Sequence, residues 1–145
     1  MRINGQWVSP ENGAVQPIVE VSLLDEVGTW HPVPFVVDTG AEVSVVRYQV
    51  FNDAPFELDE SEGSALVGFG GSSSTAAIRT KLRLSRDDGQ IVTISGIIHA
   101  STDPIGLDDN LLGRDVLSNF AVIVDRPANQ VTLLAGNHRY QVVAS

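Results

Sequence analysis

The sequence predicts an all-β fold with a single short helix near its C-terminus, on three observations. Runs rich in Val, Ile, Leu and Thr, residues that suit a pleated and half-buried surface, recur along most of the chain. Glycine and proline interrupt those runs about every ten residues, the punctuation of short strands joined by turns. Only Arg114 to Asn119 carries its apolar residues at helical rather than alternating spacing.

The first predicted strand is Ile18 to Leu24. The turn Asp25-Glu26-Val27-Gly28 ends it, and Val33 to Val37 returns beside it. Val43 to Val46 follows as a short apolar run. Ala65 to Val67 and Ala76 to Ser85 flank Gly70-Gly71-Ser72-Ser73-Ser74, a tract short enough to be a loop tip. Asp87-Asp88-Gly89 then turns the chain into Ile91 to Ala100, with the glycine accepting the positive φ that such a hairpin needs. The helix over Arg114 to Asn119 begins after Gly113 and offers Val116, Leu117 and Phe120 to the core. Arg126-Pro127-Ala128-Asn129 joins Ala121 to Val124 with Val131 to Leu134, its proline standing where no ladder hydrogen bond is required.

The 145 residues fit one domain, 1–145, large enough to bury a real core without metal or disulfide. A content of 43% hydrophobic and 19% charged residues is that of a soluble globular protein. There is no cysteine, so disulfides and thiolate metal sites are excluded. His31, His99 and His138 are far apart in sequence and lack paired carboxylate spacing, so neither a metal site nor a cofactor is expected. A net charge of -9 repels phosphate backbones, and Arg79, Lys81, Arg83 and Arg86 alternate along one strand rather than clustering, so no nucleic acid partner is expected. Neither a signal peptide nor a membrane-spanning run is visible, which favours a soluble, cytoplasmic location.

Phe35-Val36-Val37-Asp38-Thr39-Gly40-Ala41 sets a carboxylate, a hydroxyl and a glycine in succession at the mouth of an apolar strand. Leu111-Leu112-Gly113-Arg114-Asp115 later supplies a second apolar pair ending in glycine. Taken alone, Asp-Thr-Gly also reads as a turn at a strand end; its apolar lead, the all-β background and the later Leu-Leu-Gly favour catalysis. Peptide hydrolysis without a metal or a nucleophilic side chain needs a base to activate water and an acid to protonate the leaving group. Two carboxylates sharing one proton supply both. The chain has no second Asp-Thr-Gly or Asp-Ser-Gly, since Asp87-Asp88-Gly89 reads as a turn and Ser101-Thr102-Asp103-Pro104 has the wrong order. The second carboxylate must therefore come from another copy, brought to Asp38 by a two-fold axis. Gly40 lets the backbone turn its N–H toward the carboxylate, and the Thr39 hydroxyl can bond to its symmetry mate. Ala41 offers the carboxylate no side-chain donor, so the dyad is expected to work at a less acidic pH than one followed by serine.

These motifs, together with the glycine-rich Val67-Gly68-Phe69-Gly70-Gly71 between them, make the chain resemble a retropepsin-type aspartic protease, the single-domain homodimeric class. The likeness runs from residue 35 to about 125 in the family's order. It implies a closed-barrel-like fold, a catalytic Asp38 with Thr39 and Gly40, and a flap over 68–74 that covers an extended peptide. Substrate contacts would come from Ala41, Glu42, Val67, Gly68, Phe69, Gly70 and Gly71. Leu112, Gly113 and Arg114 would support the site, with Glu42 and Arg114 contacting each other or the partner chain. Dimer formation in this class leans on terminal strands.

The expected function is an endopeptidase acting on peptide or protein substrates as a homodimer. Val43, Leu66 and Ile105 join Ala41 and Phe69 as wall candidates, and the preference is for hydrophobic residues flanking the cut. The competing expectation is a dimer that keeps the groove without turnover and serves as a peptide-binding or scaffolding domain.

Overall fold

The computed structural model describes residues 2–11, 13–59, 64–67, 72–136 and 143, with 64–67 and 72–74 as backbone. Among the described residues, twelve strands and two short helices follow in the order β1 (Arg2–Asn4), β2 (Gln6–Val8), β3 (Gln16–Leu24), β4 (Trp30–Val37), β5 (Val45–Val46), α1 (Tyr48–Asp53), β6 (Glu57–Leu58), β7 (Ser64–Val67), β8 (Ser72–Ser85), β9 (Ile91–Ser101), β10 (Leu111–Leu112), α2 (Arg114–Leu117), β11 (Phe120–Asp125) and β12 (Gln130–Ala135). Among the described residues no helix is long and apolar enough to cross a membrane.

The larger sheet runs β2-β3-β4-β10-β5-β9-β8-β6, with β7 paired to β8. Ser22 and Leu23 of β3 also pair with Arg83 and Leu82 of β8, so the strands from β3 round to β8 form a ring. This is the closed-barrel-like fold the resemblance implied. Alternation along β3 and β4 fills much of its interior. Val19, Val21 and Leu23 of β3 and Val33, Phe35 and Val37 of β4 are buried. They meet Ile78, Leu82 and Leu84 of β8, Ile98 of β9, and Leu112, Val116 and Leu117 from the segment that supports the site. Complete burial of Phe35 alone contributes about 1.5–3 kcal/mol.

A second, three-stranded sheet has the order β1-β12-β11. Its Ile3 and Leu133 face each other, both buried. Gly5 is wedged between β3 and β12: a Cβ there would stand 2.3 Å from the Ile18 carbonyl oxygen and 2.9 Å from the Val131 side chain. At the far end Asp87 clasps β1. Its Oδ1 accepts the Arg2 N–H at 3.1 Å, and its own N–H donates to the Arg2 carbonyl at 2.8 Å.

Several features depart from the expected element list. Strand β4 starts at Trp30, running through Pro32 and Pro34, because β10 reaches only Val36 and Val37 and leaves those prolines no ladder to break. Helix α1 is a second helix where one was expected; Arg47 gives it no side-chain cap, and six residues are too few to show a period. Helix α2 ends at Leu117 rather than Asn119, and β8 begins at Ser72 inside the serine tract. The short strands β1, β2, β6 and β10 are not among the expected ones.

Two carboxyls tie turns to neighbouring strands, Asp25 to β4 and Asp87 to β1. Asp25 accepts from the His31 ring at 2.7 Å and from the N–H groups of Val27 and Thr29, and the His31 hydrogen bond in particular lowers its pKa. Asp87 is lowered to about 2, chiefly by the Arg2 N–H. A folded-state value below the unfolded one means that unfolding takes up protons in acid. The stability from both groups is therefore complete well above the ordinary value of about 4 and is lost as pH falls below it. Denaturant midpoints should drop across that window, and less steeply in Asp25→Asn. Equal steepness in that variant would refute the assignment.

Candidate active site

Strand β4 delivers Asp38 to the barrel's edge, and the Asp38 N–H extends the ladder by donating to the Leu112 carbonyl at 3.0 Å. The chain then turns sharply. Gly40 N–H points back to Asp38 Oδ1 at 3.0 Å, and Ala41 N–H reaches the Asp38 carbonyl at 3.2 Å. The Gly40 hydrogen bond is the one the Asp38 carboxylate receives among the described residues, as expected of a glycine at this position. Asp38 is half-buried, Thr39, Gly40 and Glu42 are exposed, and Ala41 is buried. The Thr39 hydroxyl has no partner within the chain among the described residues.

The second motif lies directly beneath. Arg114 N–H donates to the Ala41 carbonyl at 2.9 Å and Asp115 N–H to the Glu42 carbonyl at 3.2 Å, so the loop after Asp38 is stitched to the start of α2. Gly113 sits at the crossing. A Cβ on it would lie 2.6 Å from the carbonyl carbon and oxygen of Val43, so only glycine lets the two backbones touch.

The contact between the Glu42 and Arg114 side chains is not found within the chain. Both side chains are exposed, and no ion pair joins them among the described residues. Arg114 supports the loop through its backbone. The charge that braces the site is Asp115, which sequence reasoning missed. Its carboxylate accepts from Ser44 N–H at 2.9 Å, Ser44 Oγ at 2.7 Å and Val116 N–H at 2.9 Å, while Ser44 Oγ accepts the Gly113 N–H at 2.9 Å. The available signal was Ser44 itself, a hydroxyl inside an apolar run that must find a partner once buried. Asn110 was missed too. It accepts from Arg47 N–H at 2.7 Å and donates to the Pro34 carbonyl at 3.0 Å, holding β10 against β4.

Ser44→Ala should therefore cost about 1–3 kcal/mol, the usual cost of stranding a buried donor, because the Gly113 N–H loses its acceptor. Denaturant unfolding measures it. An unchanged midpoint would mean that the lock contributes nothing.

Strands β7 and β8 form an antiparallel hairpin from Ser64↔Thr75 to Val67↔Ser72. The expected flap residues Gly68, Phe69, Gly70 and Gly71 lie outside the described residues, and Val67 and Leu66 are described as backbone. Val43 is half-buried beside the Asp38 loop, and Ile105 is 91% exposed. Among the described residues no three His, Cys, Asp or Glu side chains group closely enough to hold a metal ion.

The family model for retroviral aspartyl proteases matches residues 13–124, which spans β3, the Asp38 loop, the hairpin and α2. The chain belongs to the retroviral aspartyl protease family. Solved structures share the fold. The EIAV protease complexed with the inhibitor HBY-793 superposes with a TM-score of 0.53 at 22% identity, covering 77% of this chain and 92% of that one. A retropepsin-like aspartic protease from Rickettsia conorii gives 0.54 at 15% identity, covering 92% of this chain and 90% of that one. No curated protein matches the sequence. Strand β12 lies beyond the stretch matched to the retroviral aspartyl protease family.

Proposed function

We propose that this chain is an aspartic endopeptidase that acts as a homodimer, the Asp38 carboxylates of two copies sharing one proton and activating water. The observation that carries the reading is Asp38 itself. It is held by the Gly40 N–H on a rigid β4–β10 ladder, and it stands half-open on a face where Thr39 and Gly40 are exposed. One such carboxylate cannot be both base and acid in the same step. Two brought together by a two-fold axis can, because close like charges cannot both ionise. Each Thr39 hydroxyl, unpartnered within its own chain, would then have a mate across the axis. Paired backbones at the site would grip an extended peptide as an added strand, with the β7–β8 hairpin closing over it.

The test is peptide cleavage as a function of protein concentration, alongside sedimentation. Activity per chain should fall on dilution in step with loss of the dimer, and a statine-type inhibitor should block it. A chain that stays monomeric at every concentration while still cleaving would overturn the shared dyad. Absence of cleavage by a proven dimer at any pH would overturn the protease reading.

A further inference from the structure

The side chains next to Asp38 on its face of the sheet lie in rows across adjacent strands, since residues paired in a ladder point to the same face. Ile18 of β3 pairs with Val36 of β4, which pairs with Leu111 of β10, giving three aliphatic side chains on one face. The next residue of the same face along β4 is Asp38, and along β3 it is Gln16. Gln16 is engaged: its Nε2 donates to Asp109 Oδ2 at 3.0 Å, across 93 residues of sequence.

Asp109 is thus pinned at two points. Its side chain is held by Gln16, and its backbone is held through Asn110, whose carbonyl accepts the Val36 N–H at 2.8 Å and whose side chain grips Arg47 and Pro34. It is half-buried, and its Oδ1 has no partner among the described residues. A fixed carboxylate with a free oxygen is therefore held by Gln16, the residue that follows Ile18 on the face shared by the aliphatic row and Asp38.

The geometry points to Asp109 as a specificity-determining residue that selects a basic side chain, lysine or arginine, next to the cleaved bond. This rests on the endopeptidase reading above. A long aliphatic stem covers Ile18, Val36 and Leu111 while its charged head reaches the carboxylate, an arrangement that lysine and arginine make readily. An uncharged aliphatic residue fills the same row but leaves Asp109 without a counter-ion, and an acidic one is repelled. The lean to hydrophobic flanking residues expected from sequence is narrowed by this proposal to an aliphatic stem that carries a charged head. With two copies, one Asp109 serves each side of the cut.

The measurement is kcat/KM on peptides differing at one flanking position, with lysine, arginine, norleucine or glutamate. Wild-type protein should favour lysine over norleucine by about tenfold, a ratio that should fall to about one in Asp109→Asn and persist in Asp109→Glu. Asp109→Lys should instead raise glutamate above lysine. Wild-type protein that cleaves norleucine and lysine peptides equally, or a ratio untouched by Asp109→Asn, overturns the assignment while leaving the endopeptidase reading intact. A dimer that cleaves none of the peptides, nor any denatured protein, overturns both.

Discussion

Asp38→Asn should reduce peptide cleavage by about two to four orders of magnitude, the range by which a positioned acid–base group accelerates proton transfer. The fold should survive. Asparagine keeps an oxygen where the Gly40 N–H points at 3.0 Å, and the Asp38 backbone bonds to Leu112 and Ala41 do not involve the carboxylate. What would be lost is the proton shared in the proposed dyad, because an amide neither takes a proton from water nor returns it. A second readout tests the proposed two-copy site. When wild-type and Asp38→Asn chains are mixed in equal amounts and allowed to exchange, about a quarter of the dimers contain two wild-type chains. Activity per wild-type chain should then fall to about half its unmixed value, with the inactive chain acting as a poison. Activity that simply scales with the wild-type chain present would show that each chain cleaves independently.

Gly113→Ala should have the largest effect on the fold. The added methyl would sit 2.6 Å from the Val43 carbonyl carbon and oxygen and 3.0 Å from the Ala41 carbonyl oxygen, all backbone atoms with no rotamer to yield. Forced separation of the two segments would break the Arg114-to-Ala41 bond and open the Ser44–Asp115 lock in the same movement. Overpacking of this kind typically costs 1–3 kcal/mol, and contact with main chain places this site at about 3 kcal/mol or above. That is a large share of the roughly 5–15 kcal/mol that holds a domain together. Chemical denaturation and cleavage should fail together. A Gly113→Ala protein with the wild-type unfolding midpoint would show that the crossing has slack.

What could be read from sequence was what local chemistry encodes. Alternating burial in β3 and most of β4 followed the alternation of their apolar residues, and the turns at Gly28, Gly89 and Asn129 carry the positive φ of 92°, 81° and 55° that their residue types allow. Asp38 was legible because its turn is made by neighbouring residues. Contacts between distant segments were not. Ser44 and Asp115 are 71 residues apart, and Gln16 and Asp109 are 93 apart. A serine and a glutamine give no hint of which carboxylate they will meet until the barrel has closed. Glu42 and Arg114 show the converse: within one chain their two segments join through main-chain atoms that any residue carries, so their side chains give no sign of the contact.

The pairing of Arg2–Asn4 with Thr132–Leu134 has a bearing on biosynthesis. A ribosome makes the chain from its N-terminus, so the opening strand is complete long before the one that receives it exists. Until Leu133 emerges, Ile3 has no apolar partner in that ladder and Asp87 would hold a strand attached to nothing further. Pairings that must wait for distant segments are slow to form and leave sticky surface uncovered meanwhile. Maturation of this molecule should accordingly be post-translational, and nascent chains stalled short of Leu133 should remain sensitive to added proteases.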